Sequence, residues 1–512
     1  MNGLAAVSWK WKLAALLCVI FLSMGSNFCG ASLAPLKSTI RAEVPGVTNA
    51  RYGAISSSAS LINAVLPILS GIIIDYYGPT YASVICSIFI LLGSIVVGVG
   101  GQKASFGILL AGEIIMGFGS TSIETAQSKL YTHWFRGTKD GNASMALMGF
   151  VFGLDIAMGR VFNLMGGQTA VPIGENTGRW YFSFWLGAIM TAITLVINIL
   201  YVCIEKAMPA TAQVPTGRQV ARAREARGLN RDGSERSTSG KSDAGVVSFV
   251  RTRLVYLSQS FWTIPAGFWL VALSQLLQAG AILGYTSNSA DAIEKTRHTT
   301  RLTAGYTSSL SQIMPIVLTP LVGLGFDRFG RRMHVVAAIA ALWVVVFALL
   351  AYSSVHPLVP VLLGSFALSA NAIPFIAAIP LLVPNQASIG TAFGIWKAFN
   401  SAGSTIVDIS VGAIQDGTPD GGYSRVFAFL IALKAVDILF GCFYHYIDRR
   451  YLSSVLFLSE RKRIEQERQQ GEGHEKQGLL AAKKSWTIAG MTIGCALIST
   501  AYVLYIVYSY QA

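Results

Sequence analysis

Two short stretches of the same form decide the fold: Gly71-Ile-Ile-Ile-Asp75-Tyr-Tyr-Gly78 and Gly323-Leu-Gly-Phe-Asp327-Arg328-Phe-Gly330-Arg331-Arg332. Each copy of this G-x-x-x-D-x-x-G pattern follows the second apolar segment in one half of the chain. Glycine lets two helices approach closely. An aspartate at a helix end can accept hydrogen bonds from a neighbouring helix N-terminus or pair with a basic residue. The pattern therefore predicts a breakable latch between helices, and its repetition predicts a duplicated transporter.

The composition excludes a soluble protein. Of the 512 residues, 53% are hydrophobic and only 12% are charged, whereas a soluble globular protein carries about 25% charged residues. The net charge of +14 is typical of a membrane protein with Lys and Arg on its cytoplasmic loops, so nucleic acid is not predicted as a partner. The six cysteines lie in or beside apolar segments, and we predict packing residues and no metal or other cofactor.

Apolar segments of about 20 residues, the length of a helix that crosses a bilayer, recur along the chain. We predict an all-α membrane protein with twelve transmembrane helices in two six-helix bundles and a thirteenth transmembrane helix at the C-terminus. The predicted spans cover residues 13–36, 54–75, 81–100, 105–128, 143–165, 181–203, 265–287, 303–325, 333–353, 357–383, 389–414, 425–446 and 485–509.

A polar linker separates the two bundles. Residues 204–263 are rich in Arg, Ser and Gly and poor in apolar side chains, so they cannot bury a core. Their excess of Arg predicts a cytoplasmic location for the linker and the N-terminus. The predicted bundles are then residues 1–203 and 264–447.

A charged cytoplasmic tail is predicted at 448–484, followed by the extra helix at 485–512. Within the tail, Glu475, Leu479 and Leu480 match the acidic dileucine pattern that routes membrane proteins to lysosomes or vacuoles. The alternative is that this stretch is simply the amphipathic approach to the next helix.

Polar side chains inside the predicted spans mark the candidate site, because a charge at the bilayer centre costs about 2.5–3.5 kcal/mol. Spans from both halves contribute, which predicts an aqueous cavity between them. The candidates are Thr121, Glu124 and Gln127 in the fourth span, Asp155 and Arg160 in the fifth, and Lys397 and Asn400 in the eleventh. For Arg160 and Glu124 the alternative is a structural ion pair, and for Lys397 it is gating or structural pairing.

The repeated pattern resembles the signature of the major facilitator superfamily over about residues 12–447. Three stretches, 117–137, 152–160 and 383–403, are similar to the lysosomal dipeptide transporters of that superfamily. The matching positions are Gly117, Gly119, Ala126, Gln127, Trp134, Phe135, Gly137, Met158, Arg160, Val383, Pro384, Gly390, Thr391, Ala392, Gly394, Asn400 and Gly403.

This resemblance implies export of dipeptides from a lysosome or vacuole to the cytosol by facilitated diffusion and alternating access. It implies that Arg160 binds the peptide carboxylate as a bidentate fork and that an acidic residue of the fourth span binds the amine. The family's acidic position falls on Thr121, and Glu124 lies one turn further along the same face. The resemblance also makes a glycosylated accessory subunit a candidate partner.

Two other functions stay open from the residues themselves. One is a carrier of another small organic anion or amino acid, with proton coupling through Glu124, Asp155 or Asp408. The other is a membrane receptor or regulatory subunit that transports nothing. An enzyme is not predicted, because no zinc-protease motif, nucleophile elbow or phosphate-binding loop occurs in a suitable setting.

Overall fold

The structure is a computed structural model. It describes residues 8–135, except 68, 71–73 and 75–77, and residues 143–208, 213–214 and 262. It also describes residues 264–452, except 384–385, and residues 454, 456–457 and 483–510. The regular secondary structure of these residues is helical throughout.

The helices that precede residue 208 are called the N half. They are α1 (Trp9–Ile20), α2 (Met24–Leu33), α3 (Lys37–Glu43), α4 (Asn49–Asn63), α5 (Pro79–Gln102), α6 (Phe106–Phe135), α7 (Ala143–Thr177) and α8 (Phe182–Ala207). A short 3-10 turn joins α1 to α2, so that the two form one apolar segment over Lys10–Leu33. Helix α8 continues past the predicted boundary at residue 203.

The helices between residues 264 and 452 are called the C half. They are α9 (Ala266–Leu273), α10 (Gln275–Thr286), α11 (Ser289–Arg297), α12 (Arg301–Ser309), α13 (Ile313–Phe329), α14 (Arg332–Tyr352), α15 (Leu358–Ser369), α16 (Ile373–Leu382), α17 (Gln386–Asp416) and α18 (Ser424–Tyr451). One more helix, α19 (Lys484–Tyr510), follows.

The predicted all-α membrane fold is confirmed. In the described ranges, 10 helical segments are long and apolar enough to cross a membrane. The predicted spans at 54–75, 143–165 and 389–414 are not among them. The first includes residues outside the described ranges, and the second lies in α7, where the side chains of residues 143–150 are outside the described part of the chain. The third lies in α17, where Lys397, Asp408 and several small polar side chains lower the hydropathy. The count of twelve spans plus one stays a prediction.

Local signals in the sequence set several helix ends. Thr48 caps α4 by accepting a hydrogen bond from the backbone N–H of Arg51 at 3.2 Å, as expected for an N-cap threonine. In the repeated pattern, Gly78 precedes α5 with φ 92° and Gly330 ends α13 with φ 67°. Both conformations suit glycine, so the last glycine of each copy breaks the chain out of a helix at the equivalent place.

The latch predicted around the repeats is only partly visible. Gly71 and Asp75 lie outside the described residues, as does the side chain of Asp327. Arg331 contacts the chain beyond α18, where its N–H donates to the Phe457 carbonyl at 3.0 Å and its guanidinium lies 5.6 Å from the Phe457 ring. The pairing of the repeat aspartates therefore stays a prediction. The sorting residues Glu475, Leu479 and Leu480 and nearly all of the linker also lie outside the described ranges.

The main helix contacts between the halves are those of α4 with α17 and of α7 with α12 and α13. Where α4 and α17 meet, a Cβ on Gly412 would lie 2.5 Å from the carbonyl oxygen of Asn49. A larger residue would force the two helices apart. We call the end of the bundle that holds Lys37, Asn49 and Asp416 the Lys37 end, and the opposite end, where the chain leaves α8 and enters α9, the linker end.

Helix α19 packs against the C half through two glycines. A Cβ on Gly490 would clash with the indole ring of Trp269 in α9, and a Cβ on Gly494 would lie 2.8 Å from the ring of Phe399 in α17. Small residues of this kind let helices approach in a membrane, where packing supplies most of the association energy. The two aromatic rings therefore pack directly against the backbone of α19 at its two glycines.

The same helix also reaches the N half. The Tyr505 hydroxyl shares a hydrogen bond of 2.7 Å with the Ser58 hydroxyl of α4. Tyr505 and Ala501 belong to an apolar cluster that also contains Ala54 of α4 and Ile409 of α17. Helix α19 therefore lies along the seam between α4 and α17.

Replacing Gly490 with valine should detach α19 from the bundle, because the added side chain cannot fit beside Trp269. Cysteines placed at Ser58 and Tyr505 and joined by a bifunctional thiol reagent would measure this, because the tyrosine ring spans the distance to Ser58 and two cysteine side chains are too short to meet across it. We expect efficient cross-linking in the parent and at least about a tenfold slower rate with Gly490→Val, if roughly 1–3 kcal/mol of packing is lost. Ala489→Val, on the exposed face, is the control, and equal rates in both variants would contradict this packing.

Candidate functional site

Arg160 lies near the middle of α7, on the side that faces the C half. Its Nη1 donates a hydrogen bond to Oε1 of Gln312, 3.0 Å away in the turn between α12 and α13. Within the described ranges, no carboxylate pairs with this guanidinium. The structural ion pair with Asp155 or Glu124, which the sequence left open, is therefore not formed.

Asp155 is held by neutral donors of the N half. The Gln127 amide donates to its Oδ1 at 2.6 Å, and the Tyr131 hydroxyl donates to the same atom at 2.8 Å. Gln127 also donates to the carbonyl of Val19 at 2.9 Å. These bonds join α1, α6 and α7 about one turn from Arg160. The candidate site residues Gln127 and Asp155 are therefore in contact with each other.

Thr121 and Asn400 bind within their own halves. Thr121 is fully buried, and its hydroxyl donates to the Gly117 carbonyl one turn earlier in α6 at 2.8 Å. The Asn400 amide donates to Oε1 of Gln275 in α10 at 3.2 Å. A role for either residue in substrate binding stays a prediction.

Glu124 and Lys397 form an ion pair across the two halves, toward the linker end. Their side chains are 59% and 22% exposed. An ion pair this exposed contributes only about 0–1 kcal/mol, because water screens it. It is therefore a contact that can break at little cost.

The Lys37 end is closed by a cluster that the sequence did not predict, which we call the Lys37 latch. Lys37 of the N half is 0% exposed. Its Nζ contacts four polar groups of the C half: Asn288 Oδ1 at 2.5 Å, Gln415 Oε1 at 2.7 Å, Tyr423 Oη at 2.9 Å and Asp291 Oδ2 at 3.4 Å. An ammonium has only three donors, so these oxygens share its protons.

Aromatic rings and charge strengthen the latch. The Lys37 ammonium lies 5.4 Å from the ring centres of both Tyr52 and Tyr423, within cation–π range. Burial lowers the pKa of Lys37 to about 8, although the nearby Asp291 carboxylate acts to raise it. Burial acts to raise the pKa of Asp291, but the Lys37 charge and the Tyr423 hydroxyl together hold that pKa below its usual range. Both groups are therefore charged at neutral pH.

A second contact seals the same end. Asp416, the last residue of α17, accepts hydrogen bonds from the backbone N–H groups of Asn49 at 3.1 Å and Ala50 at 2.9 Å. The Asn49 amide donates to the same carboxylate at 2.7 Å. A carboxylate at a helix N-terminus satisfies free N–H groups and the helix dipole, so α17 of one half caps α4 of the other.

Sequence reasoning missed these residues because they lie beyond the predicted spans. One signal was present: Lys37 follows the first span, on the side where the positive-inside rule expects few basic residues. A lysine in that position is expected to need a hydrogen-bond acceptor or an acidic partner. The partners could not be identified, because Asn288, Asp291, Gln415 and Tyr423 lie more than 250 residues away in the chain.

Two helical halves, joined by pairs of long helices and carrying polar groups between them, are typical of membrane transporters built from repeats. The family profile described as Major Facilitator Superfamily matches residues 16–290 and 271–512. The chain therefore belongs to the Major Facilitator Superfamily, as the repeated pattern predicted.

Curated relatives and solved structures agree with this family. The relatives include proteins named lysosomal dipeptide transporter MFSD1 from Mus musculus, 24% identical over 84% of each chain, and from Danio rerio, 26% identical over 84% of this chain and 85% of that one. A peptide transporter POT in complex with sulfate superposes with a TM-score of 0.60 at 13% identity, over 86% of this chain and 96% of that chain. The nucleoside transporter NupG superposes with a TM-score of 0.55 at 15% identity, over 85% and 99%.

Proposed function

We propose that this protein exports dipeptides from a lysosome or vacuole to the cytosol by alternating access. The observation that carries the proposal is Arg160: a guanidinium on the seam between the halves whose polar contact is the neutral amide oxygen of Gln312. A guanidinium presents five donors in a fork that matches a carboxylate. A peptide carboxylate would replace the amide and neutralise the charge. The named relatives support the same substrate.

The free amine of the dipeptide needs an acceptor at a distance from Arg160. Among the described residues of the N half, Asp155 and Glu124 are acidic groups that lie toward the linker end of the seam. One oxygen of Asp155 already accepts from Gln127 and Tyr131, while the Glu124 carboxylate is exposed and held by Lys397. In our proposal the amine competes with Lys397 for Glu124, so substrate binding would loosen that ion pair.

The contacts that close the two ends of the bundle differ in strength, and in our proposal this difference determines which end opens more easily. Among the described residues, buried charges and a helix cap hold the Lys37 end, whereas toward the linker end the ion pair between the halves is the exposed one of Glu124 and Lys397. Opening is therefore easier at the linker end, which the basic linker assigns to the cytosol. The arrangement suits release of substrate to the cytosol, and no coupled ion is needed for the dipeptide to move down its gradient.

Uptake into proteoliposomes tests the substrate. The wild-type protein should take up a labelled dipeptide, and unlabelled dipeptide should compete. A dipeptide with an amidated C-terminus should compete at least about tenfold less well, because it has lost the charge that Arg160 would bind. An N-acetylated dipeptide, which has no free amine, distinguishes a dipeptide carrier from a carrier of organic anions. If it competes as well as the free dipeptide, the protein is a carrier of organic anions and the dipeptide proposal is wrong.

Breaking the exposed ion pair should change transport more than stability. We expect Lys397→Gln to lower the free energy of unfolding by less than about 1 kcal/mol, and to raise access of a water-soluble thiol reagent to a cysteine placed at Ser120 near Glu124. Thermal unfolding and labelling rate measure the two effects. The exposed Lys484→Gln is the control. A loss of several kcal/mol would show that the pair holds the fold together and is not a gate.

A further inference from the structure

A second carboxylate lies buried in the N half, away from the seam. Glu113 of α6 is 4% exposed. It lines a cavity of about 10 Å³, which is about the room of one water molecule. The other walls come from α2, α5 and α8, and the residues that line the cavity are Cys29, Ser32, Ser94, Val97, Met116 and Phe184. No residue of the C half contributes.

In the described part of the chain, no cation lies against Glu113 to neutralise it. Across the described ranges, no Lys or Arg forms an ion pair with this carboxylate. Arg51 of the neighbouring α4 donates to the Gly46 carbonyl and lies over the Phe106 ring at the start of α6. The ionisable groups close enough to feel its charge are Cys29 of α2, Tyr52 of α4 and Tyr505 of α19, and each of these is neutral or becomes negative on losing a proton.

The hydroxyls in the cavity are engaged by other groups. Ser32 donates its proton to the Cys29 carbonyl at 2.8 Å, and the Ser94 hydroxyl lies 2.8 Å from both the Leu91 carbonyl and the Thr191 hydroxyl. Each serine would have to give up a hydrogen bond in order to donate to a carboxylate, whereas it can accept one from a protonated carboxyl without that loss. An ionised carboxylate buried without a partner is strongly disfavoured.

We propose that Glu113 is a proton-binding site within the N half, in which a carboxylate takes up one proton to become a carboxylic acid. The size of the cavity excludes an organic ligand and leaves a proton with one water. The site also adjoins the Lys37 latch: Ser32 lies on the last turn of α2, and Lys37 begins the next helix. A change of charge on Glu113 would act on the latch through α2, and this link to transport rests on the proposed function.

Infrared difference spectroscopy of the purified full-length protein tests the site without any substrate. Between about pH 5 and pH 8, the wild type should show a carboxylic-acid carbonyl band that is absent from Glu113→Gln and present in Glu113→Asp at a shifted frequency. Glu175→Gln, an exposed carboxylate of the same half, should leave the band in place. Identical spectra for the wild type and Glu113→Gln, or a band that no pH in this range changes, would overturn the proposal. Loss of the band on addition of sodium ions at constant pH would do so too, because the site would then bind a metal cation.

The link to transport is tested by dipeptide exchange at equal pH on both sides. We expect the wild-type exchange rate to change at least about fivefold between about pH 5 and pH 8, and the rate of Glu113→Gln to be flat over this range. If the wild type carries no dipeptide, the proposed function fails while the infrared result still decides the proton site. If both proteins show the same pH dependence, the link between Glu113 and the latch is wrong.

Discussion

Replacing Arg160 with alanine should reduce dipeptide uptake into proteoliposomes at least about 30-fold. A charge-assisted hydrogen bond contributes about 1.5–3 kcal/mol, and about 2 kcal/mol corresponds to a factor of roughly 30 in binding. The loss is expected mainly in affinity, because the unpaired substrate carboxylate would sit beside the neutral Gln312. Initial uptake rates over a range of dipeptide concentrations measure it, and dipeptide should no longer raise the unfolding temperature of the variant.

Matched variants distinguish loss of the substrate contact at Arg160 from loss of the folded structure. Arg160→Lys keeps the charge but not the fork, so it should recover part of the affinity. Arg179→Ala removes an exposed arginine of the same half that lies over the Phe182 ring, and it should transport like the wild type. If Arg160→Ala is correctly folded and retains wild-type uptake, Arg160 does not bind the substrate and the proposed function loses its main support.

The second large effect is expected at the Lys37 latch. Lys37→Met removes a buried cation and leaves Asp291 buried, a change that typically costs about 3–5 kcal/mol. Lys295 lies 3.6 Å from the same carboxylate and offsets part of this cost, so we expect about 2–3 kcal/mol here. The unfolding temperature should fall, and a cysteine at Ser309, on the seam near this end, should react faster with a thiol reagent applied from the side of the Lys37 end.

A double variant shows whether the charge pair is the cause. Lys37→Met with Asp291→Asn removes both charges, so it should recover most of the stability that Lys37→Met loses, and slower labelling should return. If the double variant is no better than the single one, the latch is held by the other contacts of Lys37 and not by its charge. Asp416→Asn, which weakens the cap on α4, should open the same end to a smaller extent.

The latch should respond to alkaline and not to acidic conditions. The pKa of Lys37, lowered by burial, is about 8, and the pKa of Asp291 is held below its usual range. Both groups keep their charges from about pH 5 to pH 7, so labelling at Ser309→Cys in a Glu113→Gln background should be constant there. As the pH rises through about 8, the closed latch releases the Lys37 proton more readily than an opened, hydrated latch would, so the closed form is favoured and labelling should slow.

The fold could be predicted largely from the sequence because membrane insertion leaves a strong signal. Apolar segments of fixed length predicted the spans, and the duplicated glycine pattern predicted the family. The positive φ of Gly78 and Gly330 shows the physical basis of that repeat. The span in α17 gives a weaker hydropathy signal, because its polar side chains lower its apolar content.

The candidate site could be predicted only in part. Arg160, Asp155 and Gln127 were found because a charge or amide within an apolar helix is conspicuous. Their pairing was not predictable, since Asp155 bonds to Gln127 and Tyr131 and leaves Arg160 to a glutamine of the other half. The Lys37 latch and the Asp416 cap were missed because their residues lie beyond the predicted spans, where hydropathy gives no signal from which distant contacts can be derived.

Helix α19 offers a way to observe the working cycle directly. The aromatic rings of Trp269 and Phe399 hold it against α9 and α17, whereas its polar contacts with α4 are the hydroxyl pair of Tyr505 and Ser58 and a longer bond from Tyr502 to the Leu61 carbonyl. In the proposed alternating access it should therefore stay with the C half and slide over the N half. A fluorescent donor on α19 and an acceptor on α5 would then report each turnover as a change in energy transfer. Helix α19 would thus report the position of the C half relative to the N half.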